Sequence, residues 1–190
     1  MKKVNKWLLG LTFATTAMSL SAPAFAEKTM RVGSWLPPKH TMNKDVIPTW
    51  GKWIEEATEG RVKLKIEYPG GHPKALLDNV QDGVFDAGWT FHGYFPGRFK
   101  LTKIVELPNL GADAEAASVA HWRVNEKYLK KAGEHRGIIL GALFTHGPGN
   151  IHLREPISSL SDMKGKKIRI GGGVQTELAK LMDVTGVAAP

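Results

Sequence analysis

Residues 61–68 (RVKLKIEY) alternate without a break, with Val62, Leu64, Ile66 and Tyr68 on one side and Arg61, Lys63, Lys65 and Glu67 on the other. A period of two belongs to a β-strand, and one charged face places that strand near the edge of a sheet. The alternating run is one beat of a longer rhythm. Residues 29–35 (TMRVGSW) read as a strand stopped by Leu36-Pro37-Pro38, which can continue neither a helix nor a ladder. Val46, Ile47, Trp50, Trp53, Ile54 and Ala57 then recur at helical spacing up to Gly60, a C-terminal cap, with Pro48 in or near the first turn. After the alternating strand, Pro69-Gly70-Gly71 turns the chain, Pro73 opens a short helix through Val80, and Asp82-Gly83 ends it before a strand over residues 84–91 (VFDAGWTF). Strands separated by helices argue for a largely parallel α/β sheet, because each parallel return needs a covering crossover.

Further along, residues 93–108 are irregular and rich in Gly, Pro and aromatic side chains, and Ala116, Ala120, Val124 and Tyr128 step by four along a helix ending near Gly133. Residues 137–144 (GIILGALF) read as an apolar strand, continued beyond Gly147-Pro148-Gly149 by residues 150–153. A strand interrupted in this way could cross from one lobe to another. Residues 166–170 form a short strand, Gly171-Gly172-Gly173 a tight turn, Val174 to about Met182 a helix, and residues 187–190 the start of one more strand. The expected architecture is a two-lobed α/β fold of the periplasmic-binding kind, its first lobe nearly complete over residues 27–143. Residues 144–190 supply the crossing strand and part of a second lobe.

Residues 1–26 have a different composition. Lys2, Lys3 and Lys6 precede an apolar stretch from Trp7 to about Leu20, and small residues end at Ala24-Phe25-Ala26, the plan of a cleavable signal peptide with the mature chain starting near Glu27. Nothing else approaches the roughly 18 apolar residues of a membrane span. Three of the charges in the formal net charge of +8 lie in that leader, and the remaining Lys and Arg are scattered among acidic residues. Export and scattered charge argue against a nucleic-acid partner. Cysteine is absent, which fits a periplasmic protein held by core burial.

Catalytic and cofactor motifs are weak. Gly171 and Gly173 follow a strand, but Thr176 stands where a dinucleotide motif has its third glycine and no Gly-Lys-Ser/Thr follows. The seven histidines form no metal-binding spacing, no Gly-x-Ser-x-Gly elbow occurs, and Asp82 and Asp86 sit among turn residues. No cofactor, metal or enzymatic activity is expected. Arg169 differs in kind: it lies between Ile168 and Ile170 at the end of a strand, where an α/β fold presents its crevice, and its planar fork suits a carboxylate. A solvated arginine on an edge strand is the competing reading. The N-terminus of the helix after Gly172 offers unpaired N–H groups to an anion, or is simply a turn. Trp35, Trp89, Phe91, His92, Tyr94 and Phe95 gather at or after strand ends, either as core or as the apolar walls of a pocket for an organic acid.

Residues 80–88 (VQDGVFDAG), 93–99 (GYFPGRF) and above all 160–169 (LSDMKGKKIR) resemble the DctP-type solute-binding proteins of TRAP transporters, from about residue 30 to 190. The resemblance implies a periplasmic binding protein, not an enzyme, that captures an organic acid and hands it to the membrane permease subunits. It also implies that Arg169 pairs with the ligand carboxylate. Trp35, Trp89, Phe91, His92, Tyr94, Phe144, Asn150 and Gly172 complete the expected ligand surface. Gly149 stands near the place where many members of that family carry a second ligand-facing arginine, leaving Asn150 as a donor there. Two alternatives are a binding protein of an ABC importer and a periplasmic hydrolase. Members of the family are much longer, so a truncated chain is also expected.

Overall fold

A computed structural model describes residues 26–189, so the signal-peptide reading lies outside the described residues. Strand β1 (Lys28–Gly33) is central in a parallel three-stranded sheet of order β2-β1-β3, with β2 (Val62–Glu67) in full register along it and β3 (Ala87–Gly88) on its other side. The alternating run is thus an edge strand, as its charged face requires: Lys63 and Lys65 are exposed while Val62, Leu64 and Ile66 turn inward.

The β1–β2 crossover is α1 (Ile47–Ala57), preceded by a π-helical turn over Met42–Val46, with Pro48 in the first turn, where its missing N–H costs nothing. Gly51 lets α1 settle onto β2: a Cβ there would lie 2.9 Å from the Leu64 Cβ. Of the predicted apolar stripe, Ile47 is buried, but Trp50 and Trp53 stay exposed. Helix α2 (Ala75–Gln81) drives Leu76 and Leu77 into the core beside Val32 and Phe85. Asp86 then accepts the Arg31 N–H at 2.7 Å, with the Arg31 guanidinium at 3.6 Å, and pins the start of β3 to β1. That is the turn role its neighbours suggested.

The strand predicted over 84–91 is trimmed to two residues, since its partner β1 ends at Gly33 opposite Gly88, and Trp89 and Phe91 beyond that point join an aromatic cluster. Two 3-10 turns follow, His92–Tyr94 and Thr102–Glu106. Helix α3 (Ala114–Val124) is capped by Asp113, whose Oδ1 accepts the Ala116 N–H at 2.8 Å, and its π and 3-10 extensions run to Gly133.

The crossing strand expected over 137–144 and 150–153 does not form. Residues 137–158 hold no strand, and Ile139 is 99% exposed. An apolar run becomes a strand only when a neighbouring edge takes up its N–H and C=O groups, and none of the described strands pairs with it. The segment is instead tethered to α3 through Ser118, which accepts the Thr145 N–H at 2.9 Å.

A second parallel sheet pairs β4 (Lys167–Ile170) with β5 (Thr185–Ala188) across α4 (Val174–Leu181). Its small core is Met163, Ile170, Val174 and Ala179. The fold is therefore α/β with two separate parallel sheets. Among the described residues no helix is long and apolar enough to cross a membrane.

Candidate functional site

Several of the expected site residues lie at the carboxyl ends of strands from both sheets, where parallel α/β folds present ligands. Trp35 lies two residues past β1, Trp89 and Phe91 just past β3, and Gly171 just past β4. The rings are contiguous: Trp35 is 5.2 Å from Trp89 and 5.7 Å from Tyr94, Phe91 is 5.3 Å from Tyr94, and Phe144 is 6.3 Å from Trp89. The indole Nε1 groups of Trp35 and Trp89 are buried and find no acceptor among the described residues. Tyr94 is buried core, while Phe144 is half exposed.

The glycine turn after β4 docks on this cluster. A Cβ on Gly171 would stand 3.2 Å from the Phe91 ring, and one on Gly172 would collide with the Gly93 carbonyl oxygen. Gly172 is thus a point of close backbone approach, with φ of 94°. Two residues before Gly171, Arg169 points away from half-buried Ile168 and buried Ile170 into solvent. Its side chain makes no hydrogen bond or ion pair among the described residues.

Three expected contacts stand differently. His92 turns away from the tryptophans and stacks on Phe99 at 3.9 Å, 7° from parallel, with its Nε2 3.4 Å from that of His135. Asn150 is exposed, with its amide toward the Pro148 carbonyl at 3.4 Å. Gly172 presents an occupied turn, because the Glu106 carboxylate accepts the Val174 N–H at 3.0 Å, the first amide of α4. Sequence reading missed Glu106, for its partner lies 68 residues on. A cleft of about 590 Å³ lies apart from these rings, lined among others by Ile151, Leu153, Leu160, Met163 and Met182.

The histidine cluster gives the fold a pH dependence. Burial, then the neighbouring His135 and His121, push His92 down to about 4, and burial also lowers His121 and His135. An unfolded histidine titrates near 6.5, so between about 6.5 and 4 the unfolded chain binds a proton that folded His92 refuses. The contribution is complete above pH 6.5 and is lost as pH falls. Urea unfolding should show His92 alone removing about 3 kcal/mol by pH 4, at roughly 1.4 kcal/mol per pH unit. His92→Phe, which keeps a ring against Phe99, should flatten that slope; an unchanged slope would remove His92 from the account.

Two parallel α/β sheets whose strand ends adjoin one cluster of aromatic rings have the architecture of the periplasmic-binding class. The chain belongs to the bacterial extracellular solute-binding proteins, family 7 (DctP), whose family model matches residues 32–190.

It is 32% identical over 181 residues to the outer membrane transporter protein TsaT of Comamonas testosteroni, covering 93% of this chain and 54% of that protein. Among solved structures it is similar to a TRAP periplasmic solute-binding protein from Bordetella bronchiseptica with bound (R)- and (S)-mandelate. That match has a TM-score of 0.80 and 40% identity over 85% of this chain and 52% of the other. A marine metagenome protein specific for aromatic acids, in complex with 3-hydroxybenzoate, matches with a TM-score of 0.79 and 32% identity over 87% and 52%. One from Rhodoferax ferrireducens with benzoate gives 0.77 and 30% over 85% and 51%. The chain spans about half the length of these relatives.

Proposed function

We propose that this chain is the solute-capturing part of a TRAP-type transporter and that its ligand is an aromatic monocarboxylate, delivered to the membrane permease subunits. The observation that carries the reading is the run of rings Trp35, Trp89, Phe91, Tyr94 and Phe144 at the strand ends, adjoining the turn that follows Arg169. Aromatic faces give an apolar ring stacking and area, and a guanidinium fork takes the carboxylate through two parallel hydrogen bonds. Arg169 makes no internal pair, which suits a residue reserved for an anion. Three relatives at 30–40% identity hold mandelate, 3-hydroxybenzoate or benzoate, which supports the same ligand class. Membership of this family of solute-binding proteins supports TRAP over an ABC importer and a binding protein over a hydrolase.

In this reading residues 1–26 direct export and are removed before Glu27, residues 27–143 form the first lobe, and residues 144–190 begin the second. The test is a tryptophan-fluorescence titration, since Trp35 and Trp89 would line the ligand. Benzoate and mandelate should quench with affinities at least about tenfold tighter than acetate or succinate, the worth of one buried apolar ring over a bare carboxylate. Equal affinities for acetate and benzoate would overturn the aromatic assignment.

A further inference from the structure

Glu106 closes the 3-10 turn Thr102–Glu106, and its carboxylate reaches across to the start of α4, where Oε2 accepts the Val174 N–H at 3.0 Å. The fit is tight, for a Cβ on Gly173 would collide with that same oxygen. The other end of the turn is equally fixed. Glu134 accepts the N–H groups of Lys100, Leu101 and Thr102 at 2.7, 2.7 and 3.1 Å and the Thr102 hydroxyl at 3.0 Å, and Thr102 is fully buried. On the far side, the Gln175 Oε1 accepts the Gly171 N–H at 2.7 Å. A continuous set of hydrogen bonds thus runs from Glu134 through residues 100–106 to the turn that follows Arg169.

The geometry points to Glu106 as a positioning residue for ligand capture: it caps α4 with the protein's own carboxylate and so fixes the strand end that carries Arg169 against the aromatic cluster. This rests on Arg169 being the carboxylate clamp. An anion at a helix N-terminus meets unpaired N–H groups and the positive end of the dipole. With Glu106 there, α4 has no vacancy at Val174 for a second carboxylate, and the ligand's charge falls to Arg169. Burial raises the Glu106 pKa while the Val174 N–H and then Lys103 oppose that rise, as befits a partly buried carboxylate held by a donor.

The test compares the wild-type chain, Glu106→Ala and Glu106→Gln by amide hydrogen exchange and by benzoate titration, with the Val32 amide of β1 as an internal measure of global stability. Glu106→Ala should speed exchange at Val174 and at Gly171, the hydrogen-bonded amide beside Arg169, by about tenfold while Val32 holds, the loss of one charged hydrogen bond. Glu106→Gln keeps an acceptor and should stay within about threefold of wild type. Benzoate affinity should follow the same order. Unchanged exchange at Val174 in Glu106→Ala would overturn the clasp. Faster exchange at Val174 with Gly171 exchange and benzoate affinity unmoved would overturn the positioning role. A wild-type chain that ignores benzoate would defeat the ligand assignment instead, and the positioning role would then be decided by the Gly171 amide, where unchanged exchange overturns it. Equal acceleration at Val32 would mean general destabilisation and likewise overturn it.

Discussion

Arg169→Ala should reduce benzoate binding by about a hundredfold or more, because a bidentate guanidinium–carboxylate pair contributes two charged hydrogen bonds of roughly 1.5–3 kcal/mol each. Micromolar binding is worth about 8 kcal/mol, so the loss would carry a micromolar ligand to the millimolar range or out of reach of calorimetry. The fold should not suffer. Arg169 is exposed and makes no internal pair among the described residues, so its removal leaves no stranded partner, and the unfolding midpoint should stay close to wild type. Arg169→Lys should fail nearly as badly, since a point charge on a flexible stem cannot reproduce the planar fork. Affinity within about threefold of wild type in Arg169→Ala would show that the carboxylate is held elsewhere.

The parts of the fold that could be read from sequence are those whose instructions are local. β2 announced itself by strict alternation, α1 by its spacing and its Pro48, and the β4–Gly171-Gly172-Gly173–α4 unit by a strand, a turn and a periodic helix in succession. The 137–153 segment misled for the opposite reason. Its apolar content satisfies a strand pattern, yet a strand is a relation between neighbours, and Ile139 stands in solvent without one.

The site divides the same way. Arg169 could be singled out because its two isoleucine neighbours and the glycines after it fix its direction and its place at a strand end. The aromatic residues were legible as a set, but not their order. His92 belongs with Phe99 and His135, and only the fold shows that its ring stacks away from Trp35 and Trp89. Glu106 carried no local signal at all, since the donor it satisfies lies far along the chain.

Gly172 packs the turn after β4 against the backbone of Gly93, and its replacement separates two costs that glycines often combine. Gly165 and Gly172 both hold positive φ, 73° and 94°, where an L side chain is strained. A Cβ on Gly165 would meet nothing within 4 Å, whereas one on Gly172 would drive into the Gly93 carbonyl oxygen, a backbone atom that cannot swing aside. Gly165→Ala should therefore cost about 1 kcal/mol from backbone strain alone. Gly172→Ala adds overpacking of roughly 1–3 kcal/mol to a strain like that at Gly165, for a total of about 2–4 kcal/mol in urea unfolding. The chain can relieve that strain by lifting the Gly171–Gly173 turn off the 92–94 turn, which would break the Glu106 cap on Val174 and carry Arg169 away from the aromatic rings. Gly172→Ala should then lose both stability and benzoate affinity, and Gly165→Ala only a little of the first. Equal costs at the two positions would show that contact between the turns does not hold the sheets together.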